Sequence, residues 1–151
     1  MSYSEDEKQR ALDQAYRFLG QRFLSSFELR QKMKRKQIPN DLIDYVEERL
    51  IYYDYINDER LSEQVARYLM DEQKYGSFMI KQKMKLRGLD VPATLASYDE
   101  LSAAFRVVDK KYGTSIDATP RHKVMNFLKS RGFSFSTISQ VCSEYSFSAD
   151  E

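Results

Sequence analysis

Residues 75–89 read YGSFMIKQKMKLRGL, the pattern of a helix with a glycine near each end. Gly76 comes just before the apolar positions, and Gly88 stands where a left-handed residue would close the helix. Ile80 and Met84 are four residues apart, so they share one face of a helix. Lysine and arginine occupy the remaining directions. The stretch is therefore predicted to be a helix that buries one face and presents positive charge on the others.

The same pattern occurs earlier in the chain and, more faintly, later. Residues 27–38 read FELRQKMKRKQI and match the first stretch position by position. Met33 and Met84 are 51 positions apart, and Met84 and Leu128 are 44 apart. The corresponding apolar positions are Leu29, Ile80 and Val124, then Met33, Met84 and Leu128, and finally Ile38, Leu89 and Phe133. Recurrence at this period indicates an array of repeated units, each long enough for about three helices.

The predicted fold class is all-α, with three tandem three-helix repeats in an elongated array. No segment alternates apolar and polar residues over the length of a strand, so no sheet is expected. The expected divisions are a disordered tail over residues 1–6, repeats over 7–53, 54–100 and 101–146, and a second tail over 147–151.

Capping residues predict where the helices begin. Ser25 or Ser26 precedes an apolar run with Glu28 behind it, which is the arrangement of a capping box. Three further helices are expected to begin at Glu7, Asp41 and Ala103. Others are expected to follow an N-cap at Ser77, at Asn57 or Asp58, and at Thr119, where Pro120 is the first helical residue. Residues 113–120 are expected to form a loop.

The bulk composition excludes several classes of protein. The formal net charge is only +1, so attraction to an anion depends on local patches. The one cysteine, Cys142, leaves no internal disulfide and fits a reducing compartment. The first residues are polar, unlike a signal peptide, and no run approaches the roughly 20 apolar residues of a membrane span. The expected location is the cytoplasm, with no membrane contact.

No constellation of catalytic or metal-binding residues is apparent. The only histidine, His122, has no partner that the sequence indicates, and Cys142 lies on an apolar helical face typical of a packed thiol. There is neither a Cys-x-x-Cys pair nor a glycine-rich phosphate loop. The expectation is a protein that is not an enzyme, with no catalytic residue, metal, cofactor or small-molecule substrate.

The repeated basic positions are the strongest functional signal. Because a helix turns about 100° per residue, Lys34, Lys85 and Lys129 point in the same direction from their helices. Alternating charge can simply solvate a helix, but repetition favours a binding surface for a phosphate backbone or an acidic protein groove. Aromatic residues do not interleave with these lysines, so base stacking is not expected. The candidate contact residues are Arg30, Lys32, Lys34, Lys36, Lys81, Lys83, Lys85, Arg87, Lys129 and Arg131.

A tyrosine-rich and acidic segment joins the first two predicted repeats. Tyr45, Tyr52 and Tyr53 lie close to it in sequence. Such a segment either covers the joint between repeats or forms an acidic and aromatic patch for a protein partner. The candidate joint residues are Tyr55, Asn57, Asp58, Glu59 and Arg60.

These motifs resemble the RecX family of bacterial recombination regulators over about residues 12–145. The first run resembles the family pattern in Phe18-Leu19, Arg22, Glu28-Leu29 and Lys32-Met33. The joint resembles it in Asp54-Tyr55-Ile56-Asn57-Asp58-Glu59-Arg60, and the next helix in Gly76, Ile80, Met84, Arg87, Gly88 and Leu89. Gln37 and Asp54 depart from it, since both stand where the family usually has glycine.

The resemblance implies a right-handed, curved array of repeats that binds the RecA recombinase filament. It further implies restraint of the ATPase, strand-exchange and coprotease activities of RecA, and thus regulation of DNA repair, recombination and the SOS response, without catalysis or a cofactor. Some family members also bind DNA, so a helical-repeat module that binds single- or double-stranded DNA directly is the alternative.

Overall fold

The computed structural model describes residues 2–147, so Met1 and 148–151 of the two predicted tails lie outside the described residues. Within residues 2–147 the chain forms eight α-helices, two 3-10 helices and no β-strand, which confirms the all-α prediction. The α-helices are α1 (Glu5–Leu19), α2 (Ser26–Arg35), α3 (Asn40–Tyr52), α4 (Asp58–Glu72), α5 (Ser77–Leu86), α6 (Glu100–Tyr112), α7 (Arg121–Ser130) and α8 (Phe135–Ser143). The 3-10 helices are Ala93–Ser97 and Gly113–Ala118.

The chain divides into two compact units. One comprises the chain up to Ser62 together with Lys85–Asp90, and the other comprises Glu63–Met84 together with the chain from Val91. The boundaries between the three predicted repeats stay predictions.

In the first unit, α1 and α2 both pack against α3. Its core is an aliphatic cluster: Ala11, Leu12, Ala15, Leu24, Leu29, Met33, Leu42, Ile43, Val46, Leu50 and Ile56. Tyr3 packs against this core, and its hydroxyl donates to Asp41 Oδ1 at 2.6 Å. The first helix begins at Glu5, two residues before the predicted start, because Ser4 and Glu7 form a capping box. Residues 5 and 6, which were predicted to belong to a disordered tail, are therefore helical.

In the second unit, α6 and α7 both pack against α8. The core contains Ala103, Ala104, Val107, Val108, Ile116, Val124, Leu128, Phe133, Ile138, Val141 and Cys142. Phe147 packs against this core beside Tyr145, with ring centroids 6.0 Å apart, although residue 147 was predicted to begin a tail.

Four further predicted helix starts are wrong in detail. The helix α3 begins at Asn40 behind Pro39 as N-cap, one residue before the predicted Asp41. Ser77 is the first residue of α5 rather than its N-cap, because its hydroxyl and its amide both donate to Glu100. Pro120 is the N-cap of α7, since the Thr119 hydroxyl donates instead to the Ser115 carbonyl. The first helix of the third predicted repeat begins at Glu100 rather than Ala103, because the Asp99 side chain accepts from the Ser102 amide and caps it.

Two predicted segments have a different secondary structure. Gly113–Ala118, predicted to be loop, forms a 3-10 helix that buries Ile116. The third helix predicted for the second repeat is only the 3-10 helix Ala93–Ser97, which follows Pro92 and buries Leu95.

Candidate interaction surface

Three helices carry the repeated pattern: α2, α5 and α7. The two repeated apolar positions of each helix are fully buried: Leu29, Met33, Ile80, Met84, Val124 and Leu128. This result confirms the predicted apolar face, and it fixes the directions in which the basic side chains of each helix point.

The ends of the three helices are also equivalent. Gln37, Gly88 and Gly132 all have left-handed backbone, with φ of 63°, 71° and 83°. In the first copy, the Ile38 amide donates to the Met33 carbonyl at 3.2 Å, which is the closing bond of a Schellman motif. Gln37 therefore adopts the conformation that glycine adopts in the other two copies.

Arg30 is engaged inside the first unit. Its guanidinium lies 2.8 Å from Asp44 Oδ1 and 3.5 Å from Glu47 Oε2, both on α3. The side chain is 28% exposed, so its charge holds α2 against α3 rather than facing solvent.

Arg87 is engaged more deeply. It donates from Nε and Nη2 to the Glu28 carboxylate at 3.0–3.2 Å, and from Nη2 to the Phe23 carbonyl at 2.9 Å. Arg22 Nη2 donates to Glu28 Oε2 at 2.5 Å. The Ser25 hydroxyl donates to the Arg87 carbonyl. Arg22, Glu28 and Arg87, which the sequence presents as separate motif positions, thus form one ionic cluster.

The cluster sets the ionisation of Glu28. Burial acts to raise the pKa of this carboxyl, but hydrogen bonds from Arg87 and from the Ser25 amide, together with the charges of Arg87 and Arg22, outweigh it. The net effect holds the pKa below its ordinary value of 4.5. Glu28 is therefore a carboxylate at neutral pH.

Three further basic side chains lie half-buried over aromatic rings. Lys32 Nζ is 5.4 Å from the centre of the Phe18 ring, Lys83 Nζ is 4.6 Å from that of Tyr75, and Arg131 Cζ is 5.4 Å from that of Phe127. Such cation–π contacts stabilise a cation at a partly desolvated site. Phe18 and Tyr75 lie before α2 and α5 in the sequence, and Phe127 lies on α7 itself. The expectation that these surfaces do not stack nucleic-acid bases stays a prediction.

The remaining basic candidates are exposed: Lys34, Lys36, Lys81, Lys85 and Lys129. No ion pair holds any of these lysines within residues 2–147. Lys81 lies 5.9 Å from the ring centre of Phe78, which is itself exposed. The structure thus separates the ten candidates into cations that are engaged internally and cations that face solvent.

The predicted joint residues form a local network. Asp54 accepts from Arg60 Nη1 at 2.5 Å and from Asn57 Nδ2 at 3.1 Å, and its own backbone is left-handed, with φ of 63°. Hydrogen bonds from Arg60 and Asn57 hold the pKa of Asp54 below its ordinary value. Asn57 Oδ1 accepts from the Arg60 amide at 3.0 Å, so Asn57 is the residue that caps α4.

Asp58 links the joint to the first basic helix. Its Oδ1 accepts from the Ser26 amide, at the first turn of α2, at 2.9 Å. Glu59 is exposed. The joint residues are therefore brought together, and the contacts of Asp54, Asn57, Asp58 and Arg60 are structural.

The tyrosines of the joint are not buried as a cover. Tyr52 is 79% exposed, Tyr53 53% and Tyr55 52%. Tyr55 packs edge-on against Tyr16, with centroids 5.4 Å apart, and Tyr52 packs in the same way against Tyr53 at 5.0 Å. The exposure favours the reading in which these rings form a surface patch.

Glu100 is a structural residue that the sequence did not single out. Its carboxylate accepts from the Ser77 amide at 3.0 Å, from the Ser77 hydroxyl, and from the Ser134 amide at 2.7 Å. It therefore joins the beginnings of α5 and α8. Like Asp58, Glu100 is the first residue of its helix, and its carboxylate accepts from the amide of the first residue of a basic helix. An acidic residue at the first position of a helix is the signal that could have identified it.

The potential metal-binding side chains, the free cysteine and the apolar character of the helices are further features of residues 2–147. These residues contain no group of three or more His, Cys, Asp or Glu side chains arranged to hold a metal ion. Cys142 is buried, and burial raises the pKa of its thiol, as expected for a packed side chain. None of the helices in this part of the chain combines the length and apolar character needed to cross a bilayer.

Two sequence models of one protein family match the chain. The model described as RecX, first three-helix domain, matches residues 11–50, and the model described as RecX, third three-helix domain, matches residues 98–142. The regulatory protein RecX of Deinococcus radiodurans is 30% identical over 141 residues, which cover 89% of this chain and 67% of that protein.

A second relative and a solved structure are also similar to this chain. The regulatory protein RecX of Bacillus velezensis is 25% identical over 163 residues, and the alignment covers all of this chain but only 60% of that protein. The crystal structure of RecX from Lactobacillus salivarius matches with a TM-score of 0.76 at 21% identity, over 93% of this chain and 97% of that chain. The structural match shows that the fold is shared.

Proposed function

The chain belongs to the RecX family of regulatory proteins, and we propose that it regulates by binding the RecA recombinase filament. Bound there, it restrains the ATPase, strand-exchange and coprotease activities of the filament, and so regulates DNA repair, recombination and the SOS response. The proposed location is the cytoplasm, where such a filament assembles on DNA.

The observation that carries this proposal is the set of exposed lysines at repeated positions. Lys34, Lys85 and Lys129 occupy equivalent positions on α2, α5 and α7, and each is exposed. A cation without an internal ion pair contributes little to folding, so its repetition favours contact with an anionic surface. The proposed mechanism is occlusion, in which these lysines line an acidic groove of the filament and exclude DNA from it.

The structure narrows the set of proposed contacts. Arg30 and Arg87 form ion pairs within the first unit, and Lys32, Lys83 and Arg131 lie on aromatic rings. The proposed filament contacts are therefore the exposed members alone: Lys34, Lys36, Lys81, Lys85 and Lys129. The joint tyrosines Tyr52, Tyr53 and Tyr55 are a proposed second contact, because exposed tyrosine is enriched at protein interfaces.

The test is the rate of ATP hydrolysis by RecA on single-stranded DNA as this protein is titrated in. The native chain should lower the rate in a saturable manner. The variant Lys34→Glu/Lys85→Glu should need about tenfold more protein for half-maximal inhibition, equivalent to about 1.4 kcal/mol. Arg87 is left unchanged, because reversing its charge would leave the buried Glu28 carboxylate without its main partner.

The matched control is Arg10→Glu/Arg17→Glu, which makes the same change in net charge at exposed positions of α1. It should inhibit like the native chain. If both variants inhibited equally well, the exposed lysines of the basic helices would be excluded as the contact with the filament. No inhibition by the native chain at any concentration would exclude the proposed function itself.

The alternative function is a DNA-binding helical-repeat module that acts on nucleic acid directly. The same exposed lysines suit phosphate contacts, because each phosphate contact releases condensed counterions. In that case the chain alone should bind single- or double-stranded DNA with an affinity that falls steeply with salt, and the loss in Lys34→Glu/Lys85→Glu should appear without any recombinase.

A further inference from the structure

The second unit contains a cavity of about 500 Å³ that lies apart from the exposed lysines at the repeated positions. The apolar part of its lining, called the floor below, consists of Val107 together with Tyr75 and Phe127. Among the described residues that line it there is no aspartate or glutamate. The charged residues that this part of the chain contributes to the lining are therefore all cations.

Four cations from three segments line the cavity: Lys74, Lys110, Lys111 and Arg131. Lys110 and Lys111 lie in the last turn of α6, and Arg131 is the C-cap of α7, where positive charge complements the helix dipole. That effect accounts for the sign of each charge but not for their convergence on one cavity. Of the four, only Lys74 has an ion pair among the described residues, at 2.9 Å from Glu72 Oε2.

Both aromatic rings in this cavity have cations beside them. Lys111 Nζ and Arg131 Cζ lie 5.1 and 5.4 Å from the Phe127 ring centre, and Tyr112 packs edge-on against the same ring at 5.8 Å. Lys83 Nζ lies 4.6 Å from the Tyr75 ring centre. Binding of a nucleic-acid base relies on open ring faces for stacking. The rings here instead belong to the apolar floor and hold the cations in place.

We propose that this cavity binds an acidic peptide segment of a protein partner, with carboxylates on the cations and one apolar side chain on the floor. Lysine ammonium groups on flexible stems suit carboxylates of varied spacing, and Val107 with the ring edges suits an aliphatic side chain. The inference rests on the proposed function, because it names the chemistry of the partner segment that this regulator holds. It adds a contact that lies outside the exposed lysines at the repeated positions.

The test uses fluorescence anisotropy of a short labelled peptide of aspartate and glutamate with one central leucine. The native chain should bind this peptide, and Lys110→Glu/Lys111→Glu should weaken binding about tenfold. The control Arg121→Glu/Lys123→Glu, at exposed positions of α7 that do not line the cavity, should bind as the native chain does. A peptide with serine in place of leucine should bind more weakly, because the floor then gains no apolar contact.

Several outcomes would overturn the proposal. One is equal loss of peptide binding in the cavity variant and in the control, since that would indicate general charge attraction. Another is tight binding of a labelled oligothymidylate that is lost only in the cavity variant, which would assign the cavity to nucleic acid. Absence of peptide binding by the native chain would also overturn it.

The peptide assay contains no recombinase, so its result is separable from the ATPase assay. Peptide binding without inhibition of RecA would retain the cavity and reject the proposed function. Inhibition without peptide binding would retain the proposed function and reject the peptide site in the cavity.

Discussion

At the scale of single residues, Gln37 has an unfavourable backbone conformation. Gln37 takes a left-handed backbone that Gly88 and Gly132 take at the equivalent positions. A residue with a Cβ is strained in that conformation by about 1–2 kcal/mol. Glutamine instead of glycine at position 37 should therefore lower the stability of the fold by a measurable amount.

The substitution Gln37→Gly should raise the free energy of unfolding by about 0.5 kcal/mol, because relief of strain exceeds the added entropy of the unfolded chain. Urea denaturation measures this change. The matched control is Gln31→Gly in the interior of α2, which should lower the free energy by about 1 kcal/mol. Destabilisation by both substitutions would contradict the argument.

Arg87 is the second residue-scale case, because it neutralises the buried carboxylate of Glu28. The substitution Arg87→Met should lower the free energy of unfolding by about 2–3 kcal/mol, since Arg22 alone then faces Glu28. The double variant Glu28→Gln/Arg87→Met should lose less than the sum of the single variants. Additive losses in urea denaturation would show that the pair does not interact.

At the scale of elements, the start of α5 and the end of α7 cross at backbone contact within the second unit. The Gly76 amide donates to the Arg131 carbonyl at 2.9 Å, and the Phe78 amide donates to the Gly132 carbonyl at 3.0 Å. A Cβ built on Gly76 would lie 2.3 Å from backbone atoms of Gly132 and Phe133. Two segments of backbone can approach this closely only because Gly76 has no side chain.

The substitution Gly76→Ala should therefore lower the free energy of unfolding by about 3 kcal/mol, since the atoms in the way are backbone and cannot rotate aside. The control is Gly20→Ala, where the nearest atoms to a Cβ lie at 3.5 Å and the backbone is right-handed. That control should be neutral or stabilising by about 0.5 kcal/mol. Thermal unfolding of both variants measures the difference, and a neutral Gly76→Ala would refute the crossing.

At the scale of the whole molecule, each unit contains a carboxylate that joins separate segments. Glu28 is buried and Glu100 is half-buried. Glu28 holds arginines in the first unit, and Glu100 holds helix starts in the second. Burial acts to raise the pKa of Glu100, but hydrogen bonds from Ser77 and Ser134 outweigh it and hold the pKa below 4.5. Both groups bind a proton less readily in the folded than in the unfolded chain.

Stability should consequently be lost on acidification. A carboxyl whose pKa is lowered by folding stabilises the fold above its unfolded pKa, and this stabilisation disappears as the pH falls through the folded value. The melting temperature should fall as the pH drops from about 5 to about 3, and it should fall less in Glu28→Gln/Glu100→Gln. The control Glu48→Gln/Glu144→Gln, at exposed positions, should retain the native pH dependence. The same dependence in all three proteins would exclude this role for the two carboxylates.

The sequence by itself determined the local features of this protein. The repeated apolar pairs, from Leu29 and Met33 to Val124 and Leu128, predicted helices and their buried faces, because helical periodicity depends only on neighbours along the chain. The Ser25 capping box with Glu28 and the left-handed Gly88 were predictable for the same reason. The family resemblance was also carried by motifs read directly from the sequence.

Only the tertiary structure decided which charged residues are available for binding. Nothing local distinguishes Arg87 from Lys85, yet Arg87 meets Glu28 from a distant part of the chain while Lys85 remains exposed. The short contact that makes Gly76 necessary, the helix starts joined by Glu100 and the four cations around one cavity have the same origin. Each depends on groups far apart in sequence, and such pairings are set by packing rather than by the pattern along the chain.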